Sequence, residues 1–138
     1  MKFRDCLQKY AQQAGFVLSE AQVTQLEQYY ELLIETNKVM NLTAITEVRE
    51  VVLKHILDSF YAYEPEIFNS GAKICDLGTG AGFPGLVLKI VFPNLSITLV
   101  DSLEKRIKFL DLVIKELELK NIKTVHSRIE EFKEIEAF

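Results

Sequence analysis

The sequence predicts an α/β fold: a parallel sheet with crossover helices, preceded by an N-terminal helical subdomain. Apolar residues recur at helical spacing through the first sixty positions. From Lys73 onward the pattern becomes strand, helix, strand, helix, strand, the alternation of a parallel sheet with right-handed crossovers. A glycine-rich turn, Asp76 to Gly85, follows the first of those strands.

The elements follow in order. Phe3, Cys6, Leu7, Tyr10 and Ala14 share one face of a first helix, which Gly15 ends. Ser19 with Gln22 three residues on is a capping box, and Val23, Leu26, Tyr30, Leu33 and Ile34 line the second helix. Asn37 to Thr43 is rich in turn formers. Thr46 is the expected cap of a third helix carrying Val48, Val51, Val52, Ile56, Ser59, Phe60 and Tyr63, closed by Pro65 and Asn69-Ser70-Gly71. Lys73 to Asp76 is a short strand. Pro84 suits the first turn of a helix running to about Phe92, and Pro93-Asn94 stops it. Ser96 to Val100 is a second strand, and Leu103, Ile107, Leu110, Val113, Ile114 and Leu117 line a long helix. Asn121 is the expected left-handed cap. Lys123 to His126 is a third strand, and Ser127 opens a short helical turn. The division expected is a helical cap at 1–65 and an α/β part at 66–138. Doubly wound sheets carry roughly five to seven strands, so either a piece is missing or the sheet is minimal.

Composition narrows the function classes. At 138 residues, 49% apolar and 26% charged, the chain is one ordinary globular domain with a real core. The net charge is -4 and neither half is a basic tail, so a nucleic-acid partner has to be met by a local patch. The most apolar stretch, Gly85 to Phe92, is short and holds Lys89, which excludes a membrane span. The first fifteen residues lack the apolar run of a signal peptide. Cys6 and Cys75 read as buried free thiols in a reducing, cytoplasmic setting. Two cysteines and two distant histidines offer too few ligands for zinc, and no metal is expected.

The turn carries the chemistry. Gly78, Gly80 and Gly82 let the backbone bend tightly and approach a ligand, in the crevice at the carboxyl ends of parallel strands. Two cofactors use such a turn. A dinucleotide brings a pyrophosphate and wants bare N–H groups. S-adenosylmethionine brings a sulfonium and an ammonium, for which a carboxylate at the strand end is an asset, and Asp76 stands there. Gly80 to Gly85 does fit G-x-G-x-x-G, but its first glycine falls four residues past the strand end. A dinucleotide-dependent oxidoreductase is therefore the weaker alternative. Asp101 ends the second strand, 19 residues beyond Gly82, where an acid takes ribose hydroxyls; it serves equally as a helix cap before Leu103-Glu104. The turn after the third strand, Ser127 to Glu130, can meet an adenine edge with Ile129 closing over the ring. A plain helix start, Ser127 capping toward Glu130, explains the same residues.

At this point the motifs resemble a known family. DLGTGAGFPG, LVDSLEKRIKFL, ELELKNI and VHSRIEEF, with NKVMNLTAI and KHILDSF before them, are similar to the glucose-inhibited division protein B family. These are bacterial methyltransferases acting on guanine N7 in small-subunit ribosomal RNA. The likeness runs from the first helix to Phe138. It implies a Rossmann-like class I S-adenosylmethionine methyltransferase sheet, here incomplete, with S-adenosylmethionine as cofactor and 16S ribosomal RNA or the 30S subunit as partner. It implies that Gly78 and Phe83 contact the cofactor in the turn, that Asp101 meets the ribose, and that Ile129 and Glu130 flank the adenine. The family's further cofactor-contacting Arg, in a Ser-Arg-Ala motif on the next strand, falls beyond Phe138. Guanine N7 offers an in-plane lone pair and no proton, so positioning suffices and no catalytic side chain is expected. A non-catalytic binding module built on the same fold is the remaining alternative.

Other residues carry two readings each. His55 and Asp58 lie three apart on one helix face, as a local pair fixing the helix against the loop or as a contact near the cofactor mouth. Asn37 and Asn41 flank a tight loop, as turn chemistry or as part of a lid. Lys105, Arg106 and Lys108 open the long helix, as a solvated face paired with Glu104 and Asp111 or as phosphate contacts. Tyr29, Tyr30, Tyr61 and Tyr63 are core or rim residues, or stack on bases.

Overall fold

The computed structural model describes residues 2–44, 46–63 and 72–131. Helix α1, Phe3–Gln13, buries Phe3, Cys6, Leu7 and Ala11. It ends where expected: Gly15 takes φ 85, and Phe16 N donates to Ala11 O at 2.9 Å. Helix α2, Glu20–Met40, starts on the expected capping box of Ser19 and Gln22. Its buried face is Val23, Leu26, Tyr29 and Leu33. Tyr29 thus takes the core place expected of Tyr30, because its hydroxyl finds a buried acceptor in Ala81 O. Tyr30 is half-buried and stacks on Phe3 at 4.5 Å. The helix also runs through Asn37 to Met40 and stops at Asn41, whose φ of 48 is left-handed. Asn37 still does turn work: its Oδ1 accepts from Thr43 N at 2.9 Å.

The third helix is built in pieces: α3, Val48–Glu50; a π-helical stretch, Val51–Leu57; and α4, Asp58–Phe60. Its cap is Glu47 rather than Thr46. A carboxylate reaches two amides at once, those of Arg49 and Glu50, where a hydroxyl serves one. The stop expected at Pro65 and 69–71, and the division between 65 and 66, lie outside the described residues.

Strands β1 (Lys73–Leu77), β2 (Ser96–Asp101) and β3 (Ile122–His126) form one parallel sheet in the order β1-β2-β3. Asp76 lies opposite Leu99, and Asp101 opposite His126. The central strand β2 is buried from Ile97 to Asp101, as a strand paired on both sides requires. Helices α5, Gly85–Val91, and α6, Glu104–Glu116, make the crossovers, and α2 packs against both. Asn121 does not cap α6. Glu118 takes the left-handed place at φ 54, and Asn121, at φ 55, leads into β3 with its carbonyl accepting from Ile97 N. Ser127 does not cap toward Glu130 either. Its hydroxyl donates to Arg128 O, and a short 3-10 turn covers Ile129–Glu131.

One buried apolar cluster runs from Phe3 in α1 to Leu117 after α6, so the helices and the sheet share a core. Cys6 is buried and Cys75 is half-buried, with neither in a disulfide among the described residues. Among the described residues no helix is long and apolar enough to cross a membrane, and no group of side chains could hold a metal ion.

Candidate cofactor-binding site

The site grows from the end of β1. Gly78 N and Thr79 N both donate to Val100 O, at 2.8 and 3.1 Å, which pins the turn to β2. Gly82 N and Phe83 N donate back to Thr79 O. Such a bend needs Gly78 at φ 69, Gly80 at 59 and Gly82 at 105, a region that side chains disfavour. The neighbours divide these glycines. A Cβ on Gly82 would stand 2.6 Å from Tyr29 Oη, and one on Gly85 would stand 2.3 Å from Leu99 Cδ2. A Cβ on Gly80 meets nothing, and one on Gly78 meets Ile129 Cδ1 at an ordinary 3.5 Å. The first pair is closed by packing; the second leaves room for a Cβ.

Asp76 organises the turn from behind. Its Oδ2 accepts from Thr79 Oγ1 at 2.7 Å and from Gly85 N at 2.9 Å. Burial pushes its pKa above the ordinary carboxylate value; the two hydrogen bonds work against that, and the nearby Asp101 charge adds to it. Asp101, 2% exposed, fulfils the capping reading: Oδ1 accepts from Leu103 N, and Oδ2 accepts from Gly80 N, each at 2.9 Å. Arg106 Nη1 lies 3.5 Å from the same Oδ2.

Ser127 N donates to Asp101 O at 3.0 Å, drawing the turn after β3 to the end of β2. The result is a cavity of about 350 Å³ lined by Gly78, Asp101, Ser102, Arg106, Arg128, Ile129 and Glu130. Four of the seven expected site residues meet there. Gly80 touches the cavity wall through Asp101, and Asp76 stands behind the turn. Phe83 is not among the lining residues. It packs against Tyr29, at 5.4 Å, and against His55, at 4.3 Å and 8° between planes.

Arg106 was legible only as part of a basic helix start. In the structure the three cations separate: Lys105 donates to Met40 O, Lys108 lies 3.6 Å from Glu104, and Arg106 turns to Asp101. Its buried Nε has no hydrogen-bond partner among the described residues, an unmet donor at the cavity wall. His55 shares a hydrogen bond with Thr43 Oγ1 at 3.2 Å. Burial lowers its pKa, and the Asp58 charge opposes that. Tyr63 stacks on Phe92 and Tyr61 sets its edge on Phe16.

A glycine turn at the carboxyl end of one parallel strand, with an acid at the end of its neighbour, is the arrangement of a Rossmann-like α/β domain. A family model described as rRNA small subunit methyltransferase G matches residues 22–138, and the chain belongs to that family. The resemblance carried by the motifs therefore holds. The ribosomal RNA small subunit methyltransferase G of Pediococcus pentosaceus is 50% identical over 126 residues, covering 90% of this chain and 52% of that protein. The protein of that name from Lachnoclostridium phytofermentans is 54% identical over 117 residues, 85% of this chain and 48% of the relative. That from Clostridium botulinum is 46% identical over 131 residues, 95% and 55%. The chain spans about half the length of these curated relatives.

Proposed function

We propose that the chain forms the cofactor-binding portion of an S-adenosylmethionine-dependent methyltransferase that modifies guanine N7 in 16S ribosomal RNA, as naked RNA or in the 30S subunit. One observation supports the cofactor above others: the turn has spent its amides. Gly78, Thr79, Gly80, Gly82, Phe83 and Gly85 all donate to internal acceptors, two of them to the carboxylates of Asp76 and Asp101. A pyrophosphate would find few N–H groups and two acids. A cation beside a neutral nucleoside suits that field. The dinucleotide alternative is set aside on the same ground.

The residues fit the cofactor in size and kind. A cavity of about 350 Å³ lies in the range of small-molecule sites, Gly80 leaves open space beside it, and Arg106 Nε awaits an acceptor. When bound, S-adenosylmethionine supplies an activated methyl group. The chain's part is placement. Asp76 favours the positive end of the ligand, Asp101 stands at the ribose, Ile129, 43% exposed, offers an apolar face to the adenine, and Glu130 stands at its edge. In this reading Phe83 acts by shaping the turn. No proton has to leave guanine N7, so holding donor and acceptor in line is the whole catalytic task.

Small subunits isolated from cells lacking this modification, incubated with the chain and methyl-labelled S-adenosylmethionine, are expected to take label at a guanine N7 of 16S ribosomal RNA. Cofactor binding without transfer would favour the binding-module alternative for this length of chain. Label in another RNA would overturn the substrate.

A further inference from the structure

We propose that His55 is a positioning residue of the glycine turn: its imidazole, anchored by Thr43, is the platform that holds Phe83 and thereby sets the cofactor affinity of the turn. This rests on the cofactor reading given above.

The geometry starts in the helical layer. His55 lies in the π-helical stretch Val51–Leu57, a widened winding that recurs at functional sites. Its ring stands 4.3 Å from that of Phe83 with 8° between planes, a face-to-face stack. Phe83 also meets Tyr29 at 5.4 Å and 29°, and the Tyr29 hydroxyl donates to Ala81 O inside the turn. The turn is thus gripped from the helices by two aromatic residues. Tyr29 is 1% exposed and belongs to the core. His55 is half-buried, and its ring nitrogen is engaged: Nε2 and Thr43 Oγ1 are 3.2 Å apart. Thr43 is itself held through its amide by Asn37 Oδ1 at 2.9 Å. Asn37, Thr43, His55 and Phe83 therefore form a continuous chain from the end of α2 to the turn.

Phe83 passes that constraint on. Its amide donates to Thr79 O, and Thr79 Oγ1 donates to Asp76. Between Thr79 and Phe83 stand Gly80 and Gly82, both at positive φ, with little stiffness of their own. A ring clamped on one side of such a segment removes freedom that ligand binding would otherwise have to remove. Phe83 thus affects the cofactor without lining its cavity.

The test is calorimetric titration of the chain with S-adenosylhomocysteine, in the unmodified protein and in four variants. His55→Ala, which removes ring and hydrogen bond, is expected to weaken binding about tenfold. His55→Phe restores the stacked ring and is expected to bind within about twofold of the unmodified chain. In a Phe83→Leu background, His55→Ala is expected to cause no further loss, since the platform then has nothing to hold. Equal affinity of His55→Ala and the unmodified chain, or additive losses in the double variant, would overturn the inference alone. An unmodified chain that fails to bind would overturn the cofactor reading and the inference with it. Should His55→Ala unfold, His55→Gln, which keeps a polar partner for Thr43 but no ring, replaces it: weakened binding supports the platform, and full affinity overturns it.

Discussion

Asp76 shows how a buried carboxylate can be costly to the fold while its hydrogen bonds organise a turn. Its pKa is raised in the native state, chiefly by burial. Below the ordinary carboxylate range both states hold the proton and nothing is lost. As pH rises, the unfolded chain releases its proton first, and native stability falls until the raised native pKa is passed. Asp76→Asn keeps an oxygen for Thr79 and Gly85 and removes the charge. It is expected to melt no lower than the unmodified chain at pH 7, with any advantage shrinking as pH falls through the carboxylate range. Its affinity for S-adenosylmethionine is expected to fall about tenfold. Thermal melts from pH 3 to 8 beside binding titrations decide the matter, and lower stability at neutral pH would contradict the burial argument. The glycines separate similarly. Gly80→Ala, with open space for its Cβ, is expected to stay folded at a cost of about 1–2 kcal/mol and to lose ligand. Gly82→Ala, driven into Tyr29 and Leu86, is expected to lose more stability than that in urea titrations; the reverse order would refute the packing described here. The glycine spacing and the two acids were readable in the sequence. Tyr29, Arg106 and His55 were visible as residues but their partners were not, because what selects them lies elsewhere: the acceptor of the Tyr29 hydroxyl is 52 residues away.

At the scale of elements, periodicity placed every helix and strand described, and side-chain reach settled their ends. α2 outran its turn-forming sequence to Met40 because left-handed Asn41 could end it there. α3 began one residue later than its hydroxyl suggested because Glu47 serves two amides. α5 ends under a different device. Lys89, 3% exposed, donates from Nζ to Pro93 O at 2.8 Å and to Leu95 O at 2.5 Å. Sequence showed a lone charge in an apolar helix; only the returning chain shows why it is tolerated. Lys89→Met keeps the stem and strands both carbonyls. It is expected to cost about 1–3 kcal/mol, read from the urea midpoint. A midpoint equal to or above that of the unmodified chain would mean that the two bonds contribute nothing beyond the burial cost of the ammonium.

The whole molecule is held by one apolar cluster, from Phe3 to Leu117, and the helical layer grips the glycine turn through Tyr29 and His55. All five tyrosines lie within the first 63 residues, so tyrosine fluorescence reports the helices, while circular dichroism reports helices and sheet together. The two probes are expected to give coincident urea transitions; a separate early fluorescence transition would show two independent units. The cofactor site itself is tested most directly by an amide NMR titration of the chain with S-adenosylhomocysteine and, separately, with NAD. The first ligand is expected to move the resonances of Gly78, Gly80, Ile129 and Glu130, and the second to leave them in place. Unmoved resonances with S-adenosylhomocysteine, or an equal response to NAD, would contradict the proposal that this cavity takes an S-adenosyl ligand.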